Sequence, residues 1–248
     1  LGIACFLFLA VYAFWWFTRQ PSLPRLLVAG ALGGLALSAK FSGVILIPII
    51  IVLAGTRWVS GPHAAGSESR SIGSLAPTRR TGIKFRHLAI VLAVWLGTAL
   101  FVLSLTYGVT SVSAFWDGLR MVQAHEAKGH PTFLMGGHSD TGWWYYFPLA
   151  FLIKTPIPLL CFIVMGLISM LRSRGSPSLV DKSFLLLPVV VIFGVTFFIE
   201  LRMGLRHLLP VYPFLIVIAA GGVTLPVRKR ATLRNVVMVL GAWYVLEA

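Results

Sequence analysis

Eight apolar runs separated by basic or Gly/Pro-rich linkers limit what this chain can fold into more than any other feature. They cover 1–17, 24–39, 41–54, 86–107, 155–171, 184–200, 207–225 and 235–247. A helix that crosses the hydrocarbon core of a bilayer needs about 20 apolar residues, with a range of about 17–25. Soluble domains carry about 45–50% apolar and about 25% charged residues, whereas this chain has 58% and 11%. A soluble globular domain is excluded, and the wealth of Leu, Val, Ile and Phe excludes disorder. The sequence predicts an all-α integral membrane protein, a polytopic bundle of about eight membrane helices. A net charge of +14 would suit a soluble nucleic-acid binder, but the cations fall between the apolar runs, so no nucleic-acid partner is expected.

Cys5 and Cys161 lie within apolar runs, where a thiol behaves as a small hydrophobe. Both are expected to be buried, forming neither a disulfide framework nor a metal site. The chain opens at Leu1 inside an apolar run that has no basic flank and no cleavage site, so that run is not a signal peptide. It closes inside a helix-like stretch, 243–248, and the sequence reads as a fragment of a longer protein.

The runs 24–39 and 41–54 are each short. They form either one interrupted span or two short helices meeting near Lys40. Cytoplasmic loops are enriched in Lys and Arg, and that bias distinguishes the two. With two helices, one side receives loops 18–23, 55–85, 172–183 and 226–234, with fifteen basic residues against Glu68 and Asp181. The other side receives six basic residues, Lys40, Arg120, Lys128, Lys154, Arg202 and Arg206, against five acids. A single span would blur this sorting, so two helices are expected. The whole chain, 1–248, is read as one polytopic membrane domain. Residues 55–85 form a flexible Ser/Gly-rich cytoplasmic loop, and 108–153 an outer-face loop with interfacial helices.

The unusual residues collect on the nearly neutral side. In 113–127, Phe115, Trp116, Leu119 and Val122 recur at helical spacing, with Asp117, Arg120 and Gln123 on other faces. This pattern predicts an amphipathic helix in the interface. Gly and His mark 129–142 as a loop, and Trp143 to Pro148 form an aromatic cluster suited to the water–lipid boundary. Thr155-Pro156 predicts a helix start, with Thr as N-cap and Pro in the first helical position. His125, His130 and His138 are poor candidates for zinc: the first two are five apart rather than four, and Gly129 interrupts the helix. They are read instead as shaping a loop that contacts a polar substrate, with no metal.

Lys40, Lys154, Arg202 and Arg206 come from separate stretches, yet the topology gathers them at one face. Each can snorkel to headgroups. Ionisable residues at membrane depth also mark substrate paths, and Arg and Lys are the side chains that hold a phosphate. Gly30-x-x-x-Gly34, ahead of Lys40, permits close helix packing.

Three stretches carry a family resemblance. The segment from Gly33 to Gly43, Gly-Gly-Leu-Ala-Leu-Ser-Ala-Lys-Phe-Ser-Gly, resembles a Gly-Leu-Ala-Leu-x-x-Lys-x-x-Gly segment of membrane glycosyltransferases. These are the dolichyl-phosphate-mannose–protein mannosyltransferases and their bacterial relatives that use polyprenyl-phosphate sugars. Ser139-Asp140-Thr141-Gly142-Trp143-Trp144-Tyr145-Tyr146-Phe147-Pro148, running on to Lys154-Thr155-Pro156, resembles a bacterial branch. Arg206-His207-Leu208-Leu209-Pro210-Val211-Tyr212-Pro213 is similar to the Arg-His/Tyr-x-Leu-Pro-x-x-Pro turn of the group.

The resemblance implies a GT-C fold, multi-pass in a bacterial plasma membrane with an outward-facing active site. It further implies inverting transfer of a mannose-like hexose from a polyprenyl-phosphate donor to a protein or lipid acceptor, among membrane lipids and with no cofactor. The family's catalytic acid sits in the first outer loop, upstream of this sequence, so no acid here inherits that role. Lys40, Lys154 and Arg206 would steady the leaving phosphate, with Arg202 and His207 beside them. Trp143, Trp144 and Tyr145 would stack on the sugar or brace the first isoprene units, whereas Tyr146 and Phe147 face lipid or pack. His138, Asp140 and Glu200 would contact polar parts of the substrate. The alternative is a transporter or lipid flippase for an anionic substrate, since a break at Lys40 resembles an interrupted helix, but no matching second break is present.

Overall fold

The computed structural model describes residues 1–59, 80–108, 112–126, 132–139, 143–173, 177–197, 205–227 and 231–247. Ten helices are described: α1 (Gly2–Arg19), α2 (Leu23–Ala39), α3 (Leu46–Val59), α4 (Arg80–Tyr107), α5 (Val112–Glu126), α6 (Tyr146–Lys154), α7 (Ile157–Arg172), α8 (Leu179–Thr196), α9 (Tyr212–Val227) and α10 (Ala231–Glu247). A two-stranded antiparallel hairpin, β1 (Thr132–Leu134) and β2 (Gly137–Ser139), pairs Phe133 with His138. Its turn carries Met135 and Gly136 at positive φ. The sequence predicted only a loop here, because strands of three residues are too short to show an alternating pattern.

The helices are apolar on nearly every side, and large apolar side chains face outward as well as inward. Phe101 on α4 and Val190 on α8 are each 63% exposed. Apolar surface this extensive is paid for only in lipid, so the chain is membrane-embedded. Four described segments are long and apolar enough to cross a bilayer: Gly2–Arg19, Phe41–Trp58, Phe85–Tyr107 and Leu179–Thr196. The pair α6 and α7 adds a fifth only if counted as one span, and the two axes bend by 112° at the junction. The described residues thus show four or five such segments, and not the expected count of about eight. At 1.5 Å per residue, the 17-residue α2 is about 26 Å long, short of a hydrocarbon core of about 30 Å.

The chain breaks at Lys40. Its backbone is extended (φ −166°, ψ 143°), and a 3₁₀ turn over Phe41–Ile45 follows, with the Gly43 N–H donating to the Lys40 carbonyl at 2.8 Å. Gly43 lies so tightly on the Ala36 carbonyl that a Cβ there has no room. α3 then returns, and Arg57 near its end donates to the Thr18 carbonyl at the end of α1. Two short helices thus meet at Lys40, as the charge sorting predicts.

Glycines set the closest helix pairs. A Cβ on Gly30 would lie 2.8 Å from the Trp95 carbonyl, and one on Gly34 would lie 2.5 Å from the Ala99 carbonyl, so α2 packs directly on the backbone of α4. Gly166 on α7 and Gly222 on α9 form a second such contact. The main core joins Leu7 and Phe14 of α1, Ile49 and Leu53 of α3, and Phe147, Val211 and Phe214.

Polar contacts tie the helix ends into two sets. At one end Arg19 of α1 pairs with Asp181 of α8 at 2.6 Å. At the other, the Ser38 hydroxyl meets Thr106 at 2.7 Å and Phe41 packs on Phe115, which joins α2, α4 and α5. These are the two groups of termini that the charge sorting separates.

Several boundaries move. α8 begins at Leu179 rather than 184, because Ser178 and Asp181 form a capping box with reciprocal bonds. The run expected to start at His207 becomes α9 only at Tyr212, after 3₁₀ turns at Leu205–His207 and Leu209–Val211. Helix covers both edges of the predicted loop 55–85, through α3 to Val59 and α4 from Arg80, and 60–79 lie outside the described residues. Thr155 is not an N-cap: it ends α6, and its hydroxyl bonds the Tyr212 hydroxyl at 2.8 Å, while Pro156 caps α7 and Pro158 lies in its first turn. Cys5 is exposed and Cys161 half-buried, both free thiols, since outward faces of these helices are apolar too.

Candidate functional site: a cationic cavity at one end of the bundle

Three of the sequence-predicted site residues come together. Lys40, Arg206 and His207 line one cavity of about 510 Å³. Ile3 and Leu7 of α1 form one apolar wall, and Val44, Ile45 and Pro48, following the break, form another. Ile192 and Val195 of α8 and Leu119 and Val122 of α5 close the remaining sides. The polar lining is Lys40, Ser42, Thr196, Arg206 and His207, and no carboxylate is among the described residues that line the cavity.

Each position follows from local structure. Lys40 reaches the cavity because the chain reverses there. Arg206 and His207 are held by the 3₁₀ turn, whose closure is the Leu208 N–H donating to the Leu205 carbonyl at 2.9 Å. The Pro210 ring that follows also lines the site. α5 lies across the cavity because Phe115 is anchored among Leu37, Ala99 and Leu103, with Phe41 and Tyr107 against its ring. Gly118 allows the approach, since a Cβ there would meet the Phe41 ring at 2.5 Å. That seats Leu119 and Val122 over the cavity and leaves Trp116, Asp117 and Arg120 exposed, as the amphipathic pattern predicts.

His207 is the electrostatic centre. The edge of the Phe147 ring, itself 1% exposed, packs against it with centroids 6.1 Å apart. Burial, with Lys40 and then Arg206 nearby, pushes the imidazole pKa down to about 4. The ring is therefore neutral at pH 7, and its Nε2 is buried with no hydrogen-bond partner among the described residues. An unsatisfied buried polar atom costs free energy. An anionic group that hydrogen-bonds Nε2 while accepting hydrogen bonds from Lys40 and Arg206 removes that cost. The cavity can thus hold an amphiphile, with an anionic group against the two cations and the imidazole, and an apolar part against the walls.

The other predicted residues lie elsewhere. Lys154 is exposed at the end of α6 and does not line the cavity. It is seven residues, about 10 Å of helix, beyond Phe147. Trp143 leans on the hairpin, 3.6 Å from where a Gly137 Cβ would be. Trp144 is 68% exposed, with its ring edge-on to Tyr145 and near Phe197. His138 is exposed, its ring tilted against Phe133 with centroids 4.9 Å apart. Tyr146 and Phe147 are buried and pack. Arg202, Asp140 and Glu200 lie outside the described residues, as do His130 and the side chain of His125.

The apolar walls carry no mark in the sequence that sets them apart as site residues. Leu119 and Val122 were visible on the α5 stripe, but nothing in a run such as Ile192 to Thr196 separates a cavity wall from a lipid face. Comparison of the chain with protein-family models, curated proteins and solved structures finds no match in any of the three.

Proposed function

We propose that the chain is part of a membrane glycosyltransferase of the GT-C type, which transfers a hexose from a polyprenyl-phosphate donor to a protein or lipid acceptor at the outer face of the plasma membrane. One observation carries the reading: Lys40 and the Arg206–His207 pair, distant in sequence, line one cavity whose other lining residues are apolar except for Ser42 and Thr196. A polyprenyl phosphate has this polarity. In the transfer, an acceptor hydroxyl oxygen bonds to the anomeric carbon as the bond from that carbon to the phosphate oxygen breaks. The hydroxyl proton passes to a base, and the leaving phosphate gains negative charge. Lys40 and Arg206 stabilise that charge, and neutral His207 offers a hydrogen bond without adding to the positive field. No residue of this chain is assigned as the base. The full span count, the bacterial membrane and the orientation belong to this proposal.

The test is hexose transfer from a polyprenyl-phosphate hexose in native membranes, with Lys40→Met and Arg206→Met. A charge-assisted hydrogen bond corresponds to about a tenfold effect or more. Each variant is expected to lose at least about tenfold in transfer at unchanged abundance. Unchanged transfer in both overturns the reading. Loss of lipid movement across the bilayer, in a protein that transfers no sugar, replaces it with the flippase alternative.

A further inference from the structure

A second cavity, also of about 510 Å³, opens along α1, α8 and α9 at the opposite end of the bundle. Phe8, Tyr12, Trp15 and Arg19 repeat at helical spacing along its α1 side, with Phe184 and Leu185 of α8 and Val217 of α9 facing them. Its deep end is closed by Phe8 edge-on to Phe214, with centroids 5.1 Å apart. From Phe8 to Arg19 the groove follows eleven residues of helix, about 16 Å, roughly half the hydrocarbon core of a bilayer. It is therefore one leaflet deep, and it is almost wholly apolar until it reaches Arg19 and Asp181.

The polar end is built rather than incidental. Asp181 accepts from Trp15 Nε1 at 2.8 Å, from Arg19 at 2.6 Å, and from the Ser178 backbone N–H and hydroxyl. The carboxylate is thus fully occupied. Arg19 is held over the Trp15 ring, 5.4 Å from its centroid, with its side chain 47% exposed. A guanidinium has five N–H donors, and Asp181 is its one hydrogen-bond acceptor among the described residues. Arg25, Arg57 and Lys182 sit at the same end, bonded to the carbonyls of Gln20, Thr18 and Ser173. Asp181 is the one acid there among the described residues, so this end is net positive.

We propose that this groove binds one anionic phospholipid, an acyl chain along the α1 face and the phosphate on the outward donors of Arg19. Depth, apolarity and charge each fit that occupant, and the site is independent of the Lys40–Arg206 cavity. A zwitterionic lipid fits the apolar groove equally but gains nothing from the net positive end.

The experiment uses the full chain in lipid vesicles doped with phosphatidylglycerol or phosphatidylcholine of identical chains, each carrying a photoreactive group on one acyl chain. Cross-linked peptides are identified by mass spectrometry. Phosphatidylglycerol is expected to label the α1 and α8 peptides that line the groove, with phosphatidylcholine labelling them several-fold less. Arg19→Gln is expected to lower the phosphatidylglycerol label about tenfold. Val217→Trp, which fills the groove and leaves the Arg19–Asp181 pair intact, is expected to lower it to a similar degree. Equal labelling by the two lipids overturns the anionic assignment. Undiminished labelling in Val217→Trp, or displacement of the label by a polyprenyl phosphate, overturns the site itself.

Discussion

Replacing His207 by Asn gives the cavity a quantitative test through its pH dependence. The folded imidazole titrates near 4, held down by burial and by Lys40 and Arg206, whereas an unfolded histidine titrates near 6.5. Between those values the unfolded chain binds more protons at this position, so the folded state loses stability as pH falls from about 6.5 to about 4, and loses no more below. At 1.36 kcal/mol for each pH unit the whole interval has an upper bound of about 3 kcal/mol, and solvent screening of a partly exposed ring brings it to about 1–2 kcal/mol. For a chain of this size that is a fall of about 3–6 °C in the unfolding midpoint. The assay is thermal unfolding in detergent at pH 7.5, 6.5, 5.5 and 4.5, reading the difference between wild type and His207→Asn so that the carboxylates cancel. Wild type should lose its margin over the variant progressively across that window. A difference that is flat with pH, or that grows towards acid, refutes the assignment. A bound phosphate adds negative charge beside the ring and raises its pKa, so saturating polyprenyl phosphate should flatten the slope.

Three further outcomes follow from the packing. Gly34→Ala places a methyl 2.5 Å from the Ala99 carbonyl and 2.7 Å from Val102 Cβ, and should lower stability by about 1–3 kcal/mol in thermal unfolding; Gly97→Ala, with nothing within 4 Å, should be neutral or stabilising by about 0.5–1 kcal/mol. Asp181→Asn removes the Arg19 pair and half of the capping box, and should cost about 1–2 kcal/mol in the same assay. Lys154→Met, outside the cavity, should leave polyprenyl-phosphate affinity unchanged in a binding assay, in contrast to Lys40→Met.

The features legible in the sequence are those that a local pattern encodes. Gly30 and Gly34 announce a close helix contact, the stripe of Phe115, Leu119 and Val122 announces α5, and the sorted charges announce a reversal at Lys40. That reversal is what allows Lys40 to reach Arg206 and His207. Features that depend on distant partners were hidden. Gly166 means little until Gly222 is opposite it, and Thr155-Pro156 looks like a helix start until the Thr155 hydroxyl is seen on Tyr212. The sharp bend between α6 and α7 is equally silent, because both helices are apolar and a change of direction leaves no mark on composition. It separates Lys154 from cations with which it shares an end of the bundle. Ser178-x-x-Asp181 is a readable capping signal inside the stretch 172–183 whose charges mark it as loop; Asp181 serves there as a cap as well as a charge.

The central claim is that Lys40 and Arg206 receive the phosphate of a lipid whose chain lies against the apolar walls. Equilibrium binding of a radiolabelled polyprenyl phosphate to the purified full chain, with Lys40→Met, Arg206→Met and the corresponding polyprenol as competitor, tests it most directly. The account predicts saturable binding weakened about tenfold or more by either substitution, and little competition from the uncharged alcohol. Equal affinity in wild type and both variants, or displacement by polyprenol as effective as by the phosphate, would contradict it.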